Sequence, residues 1–177
     1  MNPAPLCHSV VDGTGFTPDY YLGGFVVPEH SEEIGYEPSP NPRVREQVEL
    51  YERSGGAQGN TQRDTGIPVI IITSLGAKTS KLRKTPVIRV EANGVYALVA
   101  SRGGAPNNPQ WYYNLVAHPH SVMIQDGPQR FEVTVRLTEG DERAIWWERA
   151  VKTFPTYGEY QQKTDREIPV FLATRRS

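Results

Sequence analysis

Four stretches of the chain combine residue types that could do chemistry. The first is Gly76-Ala77-Lys78-Thr79-Ser80-Lys81-Leu82-Arg83-Lys84-Thr85, with four bases, hydroxyls beside them and no acid. Lysine and arginine make charge-assisted bonds to phosphate or carboxylate, and backbone N–H groups in a tight turn add an anion-binding concavity. The spacing is not that of a P-loop. The alternative is a solvated hairpin tip. The second, Ser101-Arg102-Gly103-Gly104, pairs two hydrogen-bond donors with glycines that let a ligand approach the backbone; the alternative is a plain turn. The third, 108–115, crowds Trp111, Tyr112 and Tyr113 together, where Trp111 and Leu115 read most simply as core. The fourth sets Phe154, Tyr157 and Tyr160 three residues apart, on one face of a helical turn. Such a face suits a planar ring or a quinone-like substrate, and packing is the alternative.

Other chemistries lack their residues. His118 and His120 flank Pro119 in a turn, His8 and His30 lie far away, and Cys7 is the lone cysteine. No metal-ligand spacing results, so no metal is expected. There is no Gly-x-Ser-x-Gly elbow and no evident pair of catalytic acids. The motif Thr164-Asp165-Arg166-Glu167 reads as a capped turn with local ion pairing.

These stretches need elements to position them. Asn41-Pro42 predicts a helix start, Val44, Val48 and Tyr51 continue it at helical spacing, and Gly55-Gly56 end it. The β-branched run 68–74 predicts a buried strand, and 85–91 and 95–101 predict two more around an Asn93-Gly94 hairpin. Asn108-Pro109 predicts the cap and first residue of a short helix over 109–117. A second hairpin, 121–125 with 130–137, turns at Gly127-Pro128. Thr138 is the expected cap of a helix from about 139 to 153, and 168–174 is a last strand. Five or six short strands with helices between them indicate an α+β barrel or sandwich, mostly antiparallel.

Composition narrows the partners. The 177 residues carry a net charge of −1, which argues against nucleic acid. The sum hides an asymmetry. Residues 1–42 hold six acids and no lysine or arginine, while 43–177 hold all 19 bases against 14 acids, a net +5. The expected organisation is an acidic, proline-rich N-terminal extension (1–42) and a mildly basic body (43–177) open to an anionic ligand. The single cysteine, the missing signal-peptide pattern and the absence of a long apolar run give a cytoplasmic protein without a transmembrane segment as the expectation.

Taken together, 76–86, 99–105, 108–115, 154–161 and 164–169, with the helix at 44–56, resemble the deazaflavin-dependent nitroreductases and quinone reductases of actinobacteria. The resemblance spans about residues 43–175. It implies a split β-barrel of the FMN-binding-like kind and the coenzyme F-420, an 8-hydroxy-5-deazaflavin with a phosphate and an oligoglutamate tail. FMN is the less favoured alternative. By motif, Lys78, Thr79, Lys81, Arg83 and Lys84 would hold the phosphate and tail. Pro86, Ala100, Ser101, Arg102, Gly103, Trp111 and Tyr157 would contact the cofactor, with Ser101, Arg102 and Gly103 on the ring and substrate side. Ser101, Tyr157 and Tyr160 are the implied catalytic set, the tyrosines orienting the acceptor. The implied activity is hydride transfer from the reduced deazaflavin to a quinone-like or nitroaromatic acceptor. A non-catalytic protein holding a planar cofactor is the other reading. The proton donor stays open between solvent and a Tyr or Ser hydroxyl. Ser80 stands where many relatives have Gly, and Phe154 where some have Tyr. Self-association and peripheral membrane contact are both compatible with the pattern.

Overall fold

The structure, a computed structural model, describes residues 34–176. The first helix, α1 (Pro42–Arg53), starts as its sequence predicts: the Asn41 side chain accepts the Arg43 N–H at 3.1 Å, and proline opens the first turn. Val48 and Tyr51 are buried. Beyond the helix, Gly56 is dictated by close approach, since a Cβ there would lie 2.4 Å from the Gly127 Cα. The Gly127 N–H donates to the Tyr51 hydroxyl at 2.8 Å, which fixes α1 against a distant turn.

Seven strands form one antiparallel sheet: β1 (Val69–Leu75), β2 (Leu82–Ile88), β3 (Val90–Ala92), β4 (Val95–Val99), β5 (Val122–Asp126), β6 (Gln129–Leu137) and β7 (Val170–Arg175). Their order is β2-β1-β5-β6-β7-β4-β3. The sheet is curled into a half-barrel, so that β2 and β4, far apart in that order, touch. The uninterrupted apolar run of β1 follows from having both faces covered. Ile70 and Ile72 join Leu98, Ile124, Val133 and Phe171 on one face, beneath Trp111 and Leu115 of α2 (Gln110–Ala117). Val69 and Ile71 join Val99, Val170 and Leu172 on the other, beneath α1, α3 (Gly140–Thr153) and Tyr157 of α4 (Thr156–Gln162). The β3–β4 hairpin turns at Asn93 and Gly94, both with positive φ (53° and 78°), as expected of that dipeptide.

Several expectations need correction. The described residues form seven strands rather than five or six, because 85–91 divides between β2 and β3. Strand β2 begins at Leu82, so Arg83 and Lys84 stand on a strand and only 76–81 is loop. Asn108 does not cap α2: Pro109 takes that position, and the Asn108 side chain accepts from Arg166 at 2.7 Å. Thr138 does not cap α3 either. Its hydroxyl donates to the Val170 carbonyl at 2.9 Å, and Glu139 precedes the helix. The extension expected over 1–42 falls largely on 1–33, outside the described residues. Its end runs along the outer edge of β2: the Leu82 N–H donates to the Gly35 carbonyl and the Glu37 N–H to the Leu82 carbonyl, each at 3.0 Å.

Candidate functional site

A cleft of about 210 Å³ opens where the curled sheet ends meet. Pro86, Val87 and Ile88 of β2 face Val99 and Ser101 at the end of β4 across it. The turn at Arg102 and Gly103, Pro109 and Trp111 at the start of α2, and Phe154, Tyr157 and Tyr160 complete the walls. Proline fits this place on β2. The Leu82 N–H points to the outer edge and the Arg89 N–H to the inner side, so residue 86 would aim its donor outward, where no strand accepts it.

The three aromatics share one wall, but not one helical turn: Tyr157 and Tyr160 stand on α4, and Phe154 lies in the non-helical junction between α3 and α4. Phe154 meets Tyr157 edge-on with centroids 5.0 Å apart, and Tyr157 and Tyr160 lie 6.4 Å apart. Tyr157 is 4% exposed, and burial, followed by Tyr160 beside it, pushes its hydroxyl well above the ordinary range. It therefore stays protonated and can only offer a hydrogen bond, not an anion. Tyr160 is half-buried.

The opposite wall is a strained turn. Arg102, Gly103 and Gly104 all have positive φ, at 46°, 66° and 79°. Gly104 packs against α4, where a Cβ would come 2.5 Å from the Tyr160 carbonyl oxygen; beyond Gly103 lies open space. Arg166 holds this turn. Its guanidinium donates to the carbonyls of Ser101 (2.8 Å), Ala105 (2.9 Å) and Ala100 (3.2 Å) and to the Asn108 side chain. The expected local ion pair is therefore corrected, since three of the partners are backbone carbonyls. The capped turn itself is present, with the Arg166 N–H reaching the Thr164 hydroxyl at 3.4 Å.

The basic residues sit outside the cleft, on the β1–β2 hairpin. Gly76 and Lys81 close the loop through a 2.8 Å backbone bond, and the Ala77 N–H donates to the buried Asn114 side chain at 3.0 Å. Ser80 has φ of 51°, the left-handed region that glycine favours. Among the described residues, Lys78 and Lys81 are exposed and carry no ion pair, and Thr79 is exposed beside them. Arg83 is bound to Glu37 at 2.6 Å and Lys84 to Glu52 at 2.8 Å.

Of the residues singled out from the sequence, the cleft gathers Pro86, Ser101, Arg102, Gly103, Trp111, Tyr157 and Tyr160. Lys78, Thr79, Lys81, Arg83 and Lys84 are not in it, and Ala100 is wholly buried behind the turn. The sequence reading missed Gln62, which lines the cleft from the turn before β1. Its backbone is held by a 2.7 Å bond to the Ile67 carbonyl, but its position has no periodic or motif signal. It also missed the reach of Arg166. Among the described residues no group of three His, Cys, Asp or Glu could hold a metal, and no helix is long and apolar enough to cross a membrane.

The chain as a whole matches known proteins. Residues 43–175 match the family described as F420H(2)-dependent quinone reductase. The chain belongs to that family. It is 39% identical over 112 residues to an F420H(2)-dependent quinone reductase of Mycobacterium tuberculosis, covering 62% of this chain and 74% of that one. Among solved structures, it is 50% identical to an F420-H2 dependent reductase (FDR-A), with a TM-score of 0.57 and coverage of 60% of this chain and 93% of the other. A structure described as a domain-swapped dimer is 47% identical, with a TM-score of 0.59 and coverage of 76% and 99%.

Membership of the F420H(2)-dependent quinone reductase family makes coenzyme F420 the cofactor. The residues present fit it. The cleft is smaller than the roughly 300–1,000 Å³ of a pocket that encloses a whole ligand, so it suits one end of a long molecule. Open space beyond Gly103 and the aromatic wall suit a planar ring. The ammonium groups of Lys78 and Lys81, exposed and without an ion pair among the described residues, suit an anionic tail lying outside.

Proposed function

We propose that this chain transfers a hydride from reduced coenzyme F420 to a quinone in the cleft bounded by Phe154, Tyr157, Tyr160 and the 101–103 turn. The observation that carries this is the pairing of an aromatic cleft with exposed lysines on the adjoining hairpin that form no ion pair among the described residues. When bound, the coenzyme supplies the hydride, and the protein supplies position and electrostatics. Lys78, Thr79, Lys81 and Arg83 bind the phosphate and tail, and Lys84, held by Glu52, adds its positive charge beside them. Pro86, Arg102, Gly103 and Trp111 hold the ring, with Ala100 supporting the turn from behind. Ser101, the protonated Tyr157 hydroxyl and the Tyr160 hydroxyl orient the acceptor through hydrogen bonds. The apolar lining from Ile88 and Val99 limits water in the cleft.

Titration of the purified protein with F420 and with FMN, followed by turnover of the reduced coenzyme with a menadione-like quinone, tests this. Tight F420 binding and quinone-dependent oxidation are expected. Preference for FMN would move the chain to the FMN-using side of the split-barrel class, and binding without turnover would make it a cofactor-holding protein. Tyr157→Phe removes one hydrogen bond to the acceptor, and an approximately tenfold fall in quinone kcat/KM is expected. A nitroaromatic substrate run beside the quinone tests whether the same cleft accepts it. The likeness to a domain-swapped dimer supports self-association, which a solution mass measurement checks.

A further inference from the structure

Two acids compete for the bases assigned to the coenzyme tail, and one of them is on a short strap. Residues 35–37 pair with the outer edge of β2 through the two 3.0 Å bonds at Leu82. This brings the Glu37 carboxylate to 2.6 Å from the Arg83 guanidinium and lays the Tyr36 ring 4.7 Å from the Lys84 ammonium. Glu52 of α1 holds Lys84 from the other side through both carboxylate oxygens at 2.8 Å. The Glu52 contact is anchored in a helix packed on the core. The Glu37 contact hangs on a partly exposed ion pair and two edge hydrogen bonds, with no core packing among the described residues to anchor it as Glu52 is anchored.

We propose that residues 35–37 are an intramolecular competitor for the anionic tail of coenzyme F420: Glu37 and the tail take the same Arg83 guanidinium in turn. This rests on the assignment of the 78–84 bases to the tail. Lys78 and Lys81, exposed and unpaired among the described residues, make the first contact, and Arg83 joins when Glu37 leaves. Lys84 stays with Glu52. The acidic strap thereby sets a threshold. A ligand with one negative charge gains little by displacing Glu37, whereas a phosphate followed by several carboxylates replaces it at every step of rebinding.

The test compares F420 affinity, by fluorescence titration at low salt, in the full-length protein and in Glu37→Gln, Glu49→Gln and Arg83→Ala. Glu49 is exposed on α1, close enough to act on Tyr36, and makes no ion pair with Arg83. If the strap is closed most of the time, apparent affinity is reduced by the open fraction. Glu37→Gln should then tighten binding about fivefold and Glu49→Gln by less than about twofold. Arg83→Ala should weaken it. Hydrogen exchange supplies a readout independent of affinity: the Leu82 and Glu37 amides should exchange faster when the coenzyme is added. Equal tightening by both glutamine variants would overturn the strap in favour of general charge repulsion. Wild-type affinity in Glu37→Gln with a weakened Arg83→Ala would overturn it while the tail site stands. Unchanged affinity in Arg83→Ala would overturn both, and no F420 binding by any form would overturn the cofactor assignment first.

Discussion

Replacing Arg166 by lysine separates a fork that positions the cleft from a charge that merely sits beside it. The guanidinium makes four hydrogen bonds, at 2.7 to 3.2 Å, to Asn108 and to the carbonyls of Ala100, Ser101 and Ala105. They diverge from a plane, as five fixed donors allow and one ammonium does not. A lysine can reach at most two of the four acceptors. Each charge-assisted bond lost contributes about 1.5–3 kcal/mol before water intervenes. Arg166 is half-buried, so water recovers part of the loss at Asn108 and Ala105. Ala100 is wholly buried, and its carbonyl has no such recourse. The net expectation is about 2–3 kcal/mol, near the lower end for two bonds. Urea unfolding should show a midpoint lowered by about 1 M or more at unchanged slope. Quinone turnover should fall about tenfold, because the carbonyls released belong to the turn that carries Ser101, Arg102 and Gly103; that factor corresponds to about 1.4 kcal/mol of positioning energy. A lysine variant within about 0.5 kcal/mol of wild type and with full turnover would refute the reasoning, since a surface substitution away from structural features does no more than that.

Three further outcomes follow from single atoms. Gly104→Ala places a Cβ 2.5 Å from the Tyr160 carbonyl oxygen at a φ of 79°, so a loss of about 3 kcal/mol or more is expected in thermal or denaturant unfolding, with lowered turnover as α4 shifts. Ser80→Gly relieves a left-handed serine at φ of 51° and should raise stability by about 0.5–1 kcal/mol without altering the β1–β2 hairpin; a loss of stability would contradict the strain argument. Tyr96 is pushed from 10.0 to about 12 by burial and by its 2.8 Å hydrogen bond to Asp126. The folded protein therefore keeps this proton more tightly than the unfolded chain. Its contribution is intact below about pH 10 and is lost as pH rises toward 12, by about 2–3 kcal/mol, so Tyr96→Phe should show a shallower alkaline fall in stability than wild type.

The parts of the fold legible in the sequence were those fixed by local rules. Asn41-Pro42 caps α1 because a side-chain oxygen two residues from a free N–H needs no distant partner. Asn93-Gly94 turns because both residues tolerate positive φ. The same residue types misled where a distant partner offered more. Asn108 has the chemistry of a cap, but its oxygen accepts from Arg166. Thr138 is drawn to the Val170 carbonyl in β7. The early start of β2 is likewise a tertiary effect: Leu82, Arg83 and Lys84 are poor strand candidates alone, and they extend because Leu75, Ser74 and Thr73 of β1 stand opposite them. Local propensity yields when a neighbouring strand supplies the pairing.

The site divides along the same line. Spacing placed Tyr157 and Tyr160 on one wall, because residues three apart share a helix face, whereas Phe154 joins them from the junction between α3 and α4. It could not place Gln62, whose approach depends on how the turn before β1 folds back. Nor could it tell a free base from a paired one. Four bases within 78–84 looked equivalent, yet Glu37 and Glu52 neutralise two of them from outside the hairpin. The distinction changes what the hairpin does. Four free cations would bind any polyanion and lose affinity steeply with salt. Two cations without an ion pair among the described residues, beside one held by a displaceable acid, favour a ligand with several negative charges in line over one with a single charge. The clustering of positive charge predicted an anion; the acids that answer it determine which anions can compete.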